Sequence, residues 1–234
     1  MKRVGHKGAD LIAPGNTLAS FDAALAAGVD MVEFDVLPEH RDGSGRLVLA
    51  HDYSAADRRD ALTLEQGLAH FAADAYAGVE LDVDLKLAGY EQRVVDALRA
   101  HGLAERTLIS TMERSSLKTL RALAPEIRLG WSVPRLRRNP LAHPLTRYPA
   151  MALGLGVRRI LPARAARAIR AGEIDALMCH YALVTGRLVQ AIERAGGELY
   201  VWTVDEAPRI AALRALGVSG IITNDPRLFD VAPV

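Results

Sequence analysis

Cysteine is nearly absent: Cys179 is the only one in 234 residues, which excludes an internal disulfide and any thiolate cage around a metal. It lies in the apolar "DALMCHY" and reads as a small buried hydrophobe. An excess of charge of one sign is also missing. With 29 basic and 28 acidic residues the formal net charge is +1, so bulk electrostatics give no reason to expect nucleic acid as a partner. No apolar run is long enough to span a bilayer, and residues 1–15 contain no continuous apolar stretch that could serve as a signal-peptide core. The expectation is a cytoplasmic protein without stable membrane insertion. A glycine-rich turn of the G-x-G-x-x-G or P-loop type is lacking as well, which argues against a nucleotide-binding open sheet.

What is present is an alternation. The β-type runs "RVGH", "MVEFDV", "RLVLAH", "GVELDVDLKL", "RTLIST", "IRLGWSV", "IDALMCHY", "LYVWTV" and "GIITN" are separated by alanine-rich helical segments, the pattern of parallel strands joined by crossover helices. In "NTLASFDAALAAG" an Asn or Thr can cap the helix, Leu18, Phe21 and Leu25 recur on one face, and Gly28 ends it. Nine candidate strands are one more than a (β/α)8 barrel takes. The early "RLVLAH" is therefore expected to be a side excursion, and the predicted architecture is a somewhat irregular (β/α)8 TIM barrel in a single domain over residues 1–234. A doubly wound sheet is the alternative. The Pro- and Arg-rich "PRLRRNPLAHPLTRYP" (134–149) reads as an exposed loop.

Two strands break the continuous apolar pattern expected of barrel staves. Glu33 and Asp35 of "MVEFDV" are two apart and share one strand face, with Val32, Phe34 and Val36 on the other. "ELDVDLKL" repeats this with Asp82, Asp84 and Lys86. Taken alone, either strand also fits a half-exposed antiparallel sheet with a solvated face. Close carboxylates repel unless one is protonated, a base faces them or a divalent cation bridges them. Oxygen donors from two strands, without cysteine or H-E-x-x-H, suit Mg²⁺ or Ca²⁺ rather than zinc. His6 and His51 each end a strand, on the rim where barrel enzymes assemble their sites. An acid, a base and a metal there would serve to split a polar bond. His180, ending "DALMCHY", is a further candidate for the rim, whereas His40, His70, His101 and His143 read as ordinary surface residues.

Taken together, "HKG", "APGNTLASF", "VEFDV", "VLAHD", "LDVDLKL", "VWTVD" and "GIITNDP" make the chain resemble the glycerophosphodiester phosphodiesterase family from residue 3 to about 230. The resemblance implies a metal-dependent phosphodiester hydrolase that releases glycerol 3-phosphate and an alcohol. By position, His6 and His51 would be the acid/base pair, Glu33, Asp35 and Asp84 the ligands of one divalent cation (Mg²⁺ or Ca²⁺), Lys86 and Lys7 phosphate contacts, and Trp202 a pocket wall. The substrate would be a small phosphodiester or a lysophospholipid. Four departures stand out: Lys7 where the family has arginine, Gly15 and Asp84 where it has glutamate, "LISTM" where it reads serine-phenylalanine, and no small inserted subdomain between His51 and Asp84. The Asp-x-Lys pattern also resembles sphingomyelinase D-type enzymes, which implies a cyclic phosphate product as one alternative. A barrel that binds a phosphorylated ligand without turnover is another.

Overall fold

The computed structural model describes residues 1–57, 61–134 and 144–231. Its strands are β1 (Lys2–Gly5), β2 (Met31–Pro38), β3 (Leu47–Leu49), β4 (Glu80–Leu85), β5 (Thr107–Thr111), β6 (Arg128–Val133), β7 (Ala176–His180), β8 (Glu198–Trp202) and β9 (Gly220–Thr223). All but β3 pair in parallel in the order β1-β2-β4-β5-β6-β7-β8-β9, and β1 pairs with both β2 and β9, so the sheet closes into the expected (β/α)8 barrel. β3 lies antiparallel on the C-terminal part of β2, with Leu49 opposite Val36. It is the side excursion that the extra strand required.

The helices are α1 (Leu18–Ala26), α2 (Tyr53–Ala56), α3 (Leu64–Phe71), α4 (Glu91–Ala100), α5 (Arg114–Leu123), α6 (Pro144–Arg170), α7 (Gly186–Glu193) and α8 (Ala207–Leu216). Thr17 caps α1 by accepting from the Ser20 amide, and Thr63 with Gln66 forms a reciprocal capping box on α3. Pro144 opens α6, where a missing N–H costs nothing, and an alanine- and leucine-rich run follows. Residues 144–149 are therefore helical rather than loop as their proline and arginine content suggested. Residues 135–143, with His143, lie outside the described residues. No helix among the described residues is long and apolar enough to cross a membrane.

The two-residue strand period sorts side chains into two layers. Val4, Met31, Leu108, Ala176, Met178, Tyr200 and Ile222 fill the barrel interior. Their neighbours Val32, Phe34, Leu81 and Val83 face outward into the helical layer, where Phe34 stacks on Phe71 at 5.3 Å and Phe21 meets Phe71 at 4.7 Å. Burial of each such side chain contributes about 1.5–3 kcal/mol. The inward column of β4 runs Glu80, Asp82, Asp84 and reaches Lys86 just past its end, while that of β2 runs Met31, Glu33, Asp35. The register sets Glu33 beside Asp82 and Asp35 beside Asp84.

Candidate active site

At the C-terminal rim of the barrel, one ligand oxygen each from Glu33, Asp35 and Asp84 lies within 4.8 Å of the others. Asp35 is fully buried and held by Asn16, whose Nδ2 donates to Asp35 Oδ2 at 2.9 Å while its Oδ1 accepts the Asp35 amide at 3.1 Å. Asn16 adopts a left-handed φ of +59°, which asparagine tolerates better than most residues. The ammonium of Lys86 reaches Asp35 Oδ1 at 2.5 Å and also pairs with Asp84. Even so, Asp35 Oδ1, Asp84 Oδ1 and, one layer down, Asp82 Oδ1 are buried without an aligned hydrogen bond.

The electrostatics follow from this crowding. Burial and the neighbouring Asp35 charge push Glu33 well above the usual carboxylate range. Burial, reinforced by Glu33, does the same to Asp82. Burial opposes ionisation of Asp35 too, but the charges of Lys86 and His51 outweigh it and hold that carboxyl below its ordinary value. Lys86 is held well above its ordinary value because Asp84, Asp35 and Glu33 outweigh its burial.

His6, just past β1, has its ring between two groups. Nδ1 lies 2.6 Å from Asn224 Oδ1 and Nε2 lies 3.8 Å from Glu33 Oε2. Asn224 Nδ2 donates to Asp205 Oδ2 at 2.7 Å, and its amide donates to Asp205 Oδ1 at 2.8 Å. This network assigns Asn224 Oδ1 as the acceptor and puts the His6 proton on Nδ1, leaving the Nε2 lone pair facing the carboxylates. Burial lowers the pKa of His6 against the opposing effects of Asp35 and Asn224, so the ring is neutral at pH 7. His51, just past β3, is more open, with Nδ1 3.5 Å from Asp52 and a side chain 56% exposed. The Ala50 amide donates to the Asp35 carbonyl at 3.2 Å, which brings His51 to the same rim.

Lys7 contributes its backbone more than its charge. In a left-handed conformation (φ +50°), its N–H donates to Glu33 Oε2 at 2.8 Å, while its ammonium lies 3.3 Å from Asp10 Oδ2. Asp10 also accepts the Gly15 amide, and a Cβ at Gly15 would come within 2.5 Å of its Oδ1. Asp10 thus occupies the space that any side chain at position 15 would need. Trp202, at the end of β8, packs edge-on against His180 at 5.2 Å, so both expected aromatics stand on one side of the rim. Asn224, Asp205 and Asp10 were not singled out from the sequence, which marks Asn16 only as a possible cap of α1, a place that Thr17 takes. Asn16, Asn224 and Asp205 lie inside "APGNT", "GIITND" and "VWTVD" and were legible as motif members, while Asp10 carried no signal.

The pattern of the glycerophosphoryl diester phosphodiesterase family matches residues 6–85 and 63–228. The chain belongs to that family. It is thereby placed among phosphoric diester hydrolases. A glycerophosphodiester phosphodiesterase of Caldanaerobacter subterraneus is 25% identical over 256 residues, covering 95% of this chain and 93% of that protein. Among solved structures, a glycerophosphodiester phosphodiesterase from Agrobacterium tumefaciens superposes with a TM-score of 0.71 at 21% identity, over 98% of this chain and 97% of that one. A phosphodiesterase from Oleispira antarctica, in complex with sn-glycerol-3-phosphate, does so with a TM-score of 0.70 at 21% identity, over 99% and 97%. Against the family pattern, the register places Asp84 directly beside Asp35, so the shorter acid still reaches the cluster. Between β3 and β4 the described residues form only α2, α3 and one 3-10 turn.

Proposed function

We propose that this chain hydrolyses glycerophosphodiesters to sn-glycerol 3-phosphate and an alcohol with the help of one divalent cation. The observation that carries the reading is the convergence of the His6 Nε2 lone pair with three carboxylates at a barrel rim. The donor set fits Mg²⁺ or Ca²⁺: it is all oxygen, and it includes buried oxygens of Asp35 and Asp84 without aligned hydrogen bonds. Glu33, Asp35 and Asp84 would hold the ion, which when bound supplies positive charge against a non-bridging phosphate oxygen. The product complex of the Oleispira relative supports glycerol 3-phosphate as the fragment retained.

His6 takes the proton from the nucleophile at Nε2, with Asn224 and Asp205 holding its ring. His51 protonates the leaving alkoxide from the open side of the rim. Lys86, whose ammonium stands at the rim beside Asp35 and Asp84, would contact the phosphate, and Lys7, whose ammonium lies beside Asp10, would add positive charge at longer range. Trp202 walls the alcohol side. Phosphorus NMR with glycerophosphocholine, glycerophosphoethanolamine and a lysophospholipid, in Mg²⁺ or Ca²⁺ and again with chelator, tests this reading. Chelator-sensitive release of glycerol 3-phosphate is expected. A cyclic phosphate would reassign the nucleophile to the substrate's own hydroxyl, and no turnover of any substrate would overturn the hydrolase reading.

A further inference from the structure

We propose a second anion site, outside the barrel, in the groove between α6 and α7, that binds a phosphate-bearing polyanion. The groove is open to solvent, offers about 620 Å³ and is lined by Arg167 and Arg170 of α6, Arg187 of α7 and Arg194 just past its end. Ala166 and Ala191 are among the small residues lining it, so no large apolar side chain fills it. No aspartate or glutamate lines the groove, and none of the four arginines forms an ion pair among the described residues. Arg194 reaches only the neutral Gln190, at 3.5 Å.

Several other arginines do meet carboxylates, as Arg99 with Glu126, Arg114 with Glu173 and Arg121 with Asp175. The four around the groove do not, and the sequence shows where the local excess of positive charge originates. Between Glu126 and Glu173 there is no acidic residue, while α6 alone carries six arginines. In a chain of net charge +1 this is a local segregation of charge, and it concentrates positive potential in one concave place. Arg167 and Arg170, three apart on a helix, are neighbours on one face, and Arg187 and Arg194, two turns apart, share the facing side. Four guanidinium forks around one groove suit the several oxygens of a polyphosphate or of clustered lipid phosphates, which they can hold bidentately. None of these residues belongs to the rim cluster, so the site is independent of the reaction proposed above.

The experiment titrates the Mg²⁺-saturated full chain with inorganic tripolyphosphate by calorimetry. In parallel, it co-sediments the chain with phosphatidylcholine vesicles with and without phosphatidylglycerol. The variant Arg167→Gln/Arg187→Gln removes one fork from each wall, and Arg159→Gln/Arg164→Gln removes equal charge from α6 outside the groove. We expect binding by wild type and by the second variant, weakened about tenfold or more in the first, with the thermal midpoint and phosphodiesterase activity of all three unchanged. Tripolyphosphate binding alone makes the ligand a soluble polyphosphate, and vesicle binding alone makes it a lipid headgroup at a surface. Binding of neither probe, equal losses in both variants, or undiminished binding by the groove variant would overturn the proposal.

Discussion

Charged side chains close both ends of the barrel interior, and the two ends handle them in opposite ways. At the N-terminal end, Lys2 lies 2.8 Å from Glu80 and 3.8 Å from Glu198, while Arg128 pairs with Glu80 and reaches Glu198 at 3.0 Å. Two cations meet two carboxylates, and the ring is neutral and complete in itself. At the C-terminal rim, Glu33, Asp35 and Asp84, with Asp82 beneath, face one ammonium and a neutral imidazole. Burying like charges is unfavourable, and the rim keeps three buried oxygens without aligned hydrogen bonds. The lower ring serves stability. The upper one keeps an electrostatic deficit that a cation and a phosphate can use.

The sharpest way to break this comparison is to remove a side chain from each end and measure turnover. His6→Ala or His51→Ala should reduce kcat by roughly two to four orders of magnitude, whereas Lys2→Met should leave it nearly unchanged. Normal turnover by either histidine variant would remove that residue from the proposed mechanism. A smaller loss is expected one step away. Asp205→Asn disturbs the amide that holds His6, and kcat should fall about 10–100-fold with KM little changed, by analogy with groups that orient a catalytic or ligating histidine. A variant with raised KM and intact kcat would instead give Asp205 a substrate-binding role.

The difference between the two ends also explains what the sequence revealed. The strands were legible because barrel staves are short β-rich runs of nearly fixed spacing, and the surplus β3 could be identified because eight places had nine claimants. Glu33, Asp35 and Asp84 stood out because a carboxylate on an inward strand position breaks an apolar pattern. Glu80, Arg128 and Glu198 break it equally, yet they sit where strands begin, and a charge flanking a strand on the surface gives the same sequence pattern. Only closure of the barrel brings Lys2, Arg128, Glu80 and Glu198 together. Asp10 was invisible for a different reason: its role depends on the turn through Lys7 and Gly15, which no periodicity encodes. The helical start of α6 was missed because the four prolines and four arginines of residues 134–149 outweighed, in composition, the alanine and leucine run that extends the helix.

Stability should separate the ends by a smaller margin. Glu80→Gln leaves Lys2 and Arg128 short of a carboxylate in a ring about 30% exposed, and about 1–2 kcal/mol should be lost in urea unfolding. Glu33→Gln, measured in chelator, should cost little or stabilise, because burial and the Asp35 charge disfavour an ionised side chain at that position. A cation should stabilise wild type by about 2.7 kcal/mol at a hundredfold excess over its Kd, and Asp35→Asn should abolish that gain. Equal destabilisation by Glu80→Gln and Glu33→Gln would contradict the contrast.

The least effect, and the one whose sign is most telling, lies in pH. Glu33 and Asp82 have raised values, so in chelator the folded state holds more protons than the unfolded one as pH falls toward the ordinary carboxylate range, and acid stabilises. Glu80 is lowered: burial opposes this, but Lys2 and Arg128 outweigh it. Its contribution is present above the ordinary glutamate value and is lost as pH falls through the folded one. His6, lowered by burial, adds an opposite trend at the rim, because the unfolded chain takes up its proton first below about 6.5. The clean comparison is therefore wild type against Glu33→Gln in chelator. Wild type should gain thermal stability relative to the variant as pH falls toward the ordinary glutamate value of 4.5, both should lose it together at lower pH as Glu80 protonates, and a saturating cation should erase the first difference because ligation requires Glu33 ionised. Parallel curves throughout would mean that Glu33 is ionised without a metal and that the rim is as well compensated as the ring beneath it.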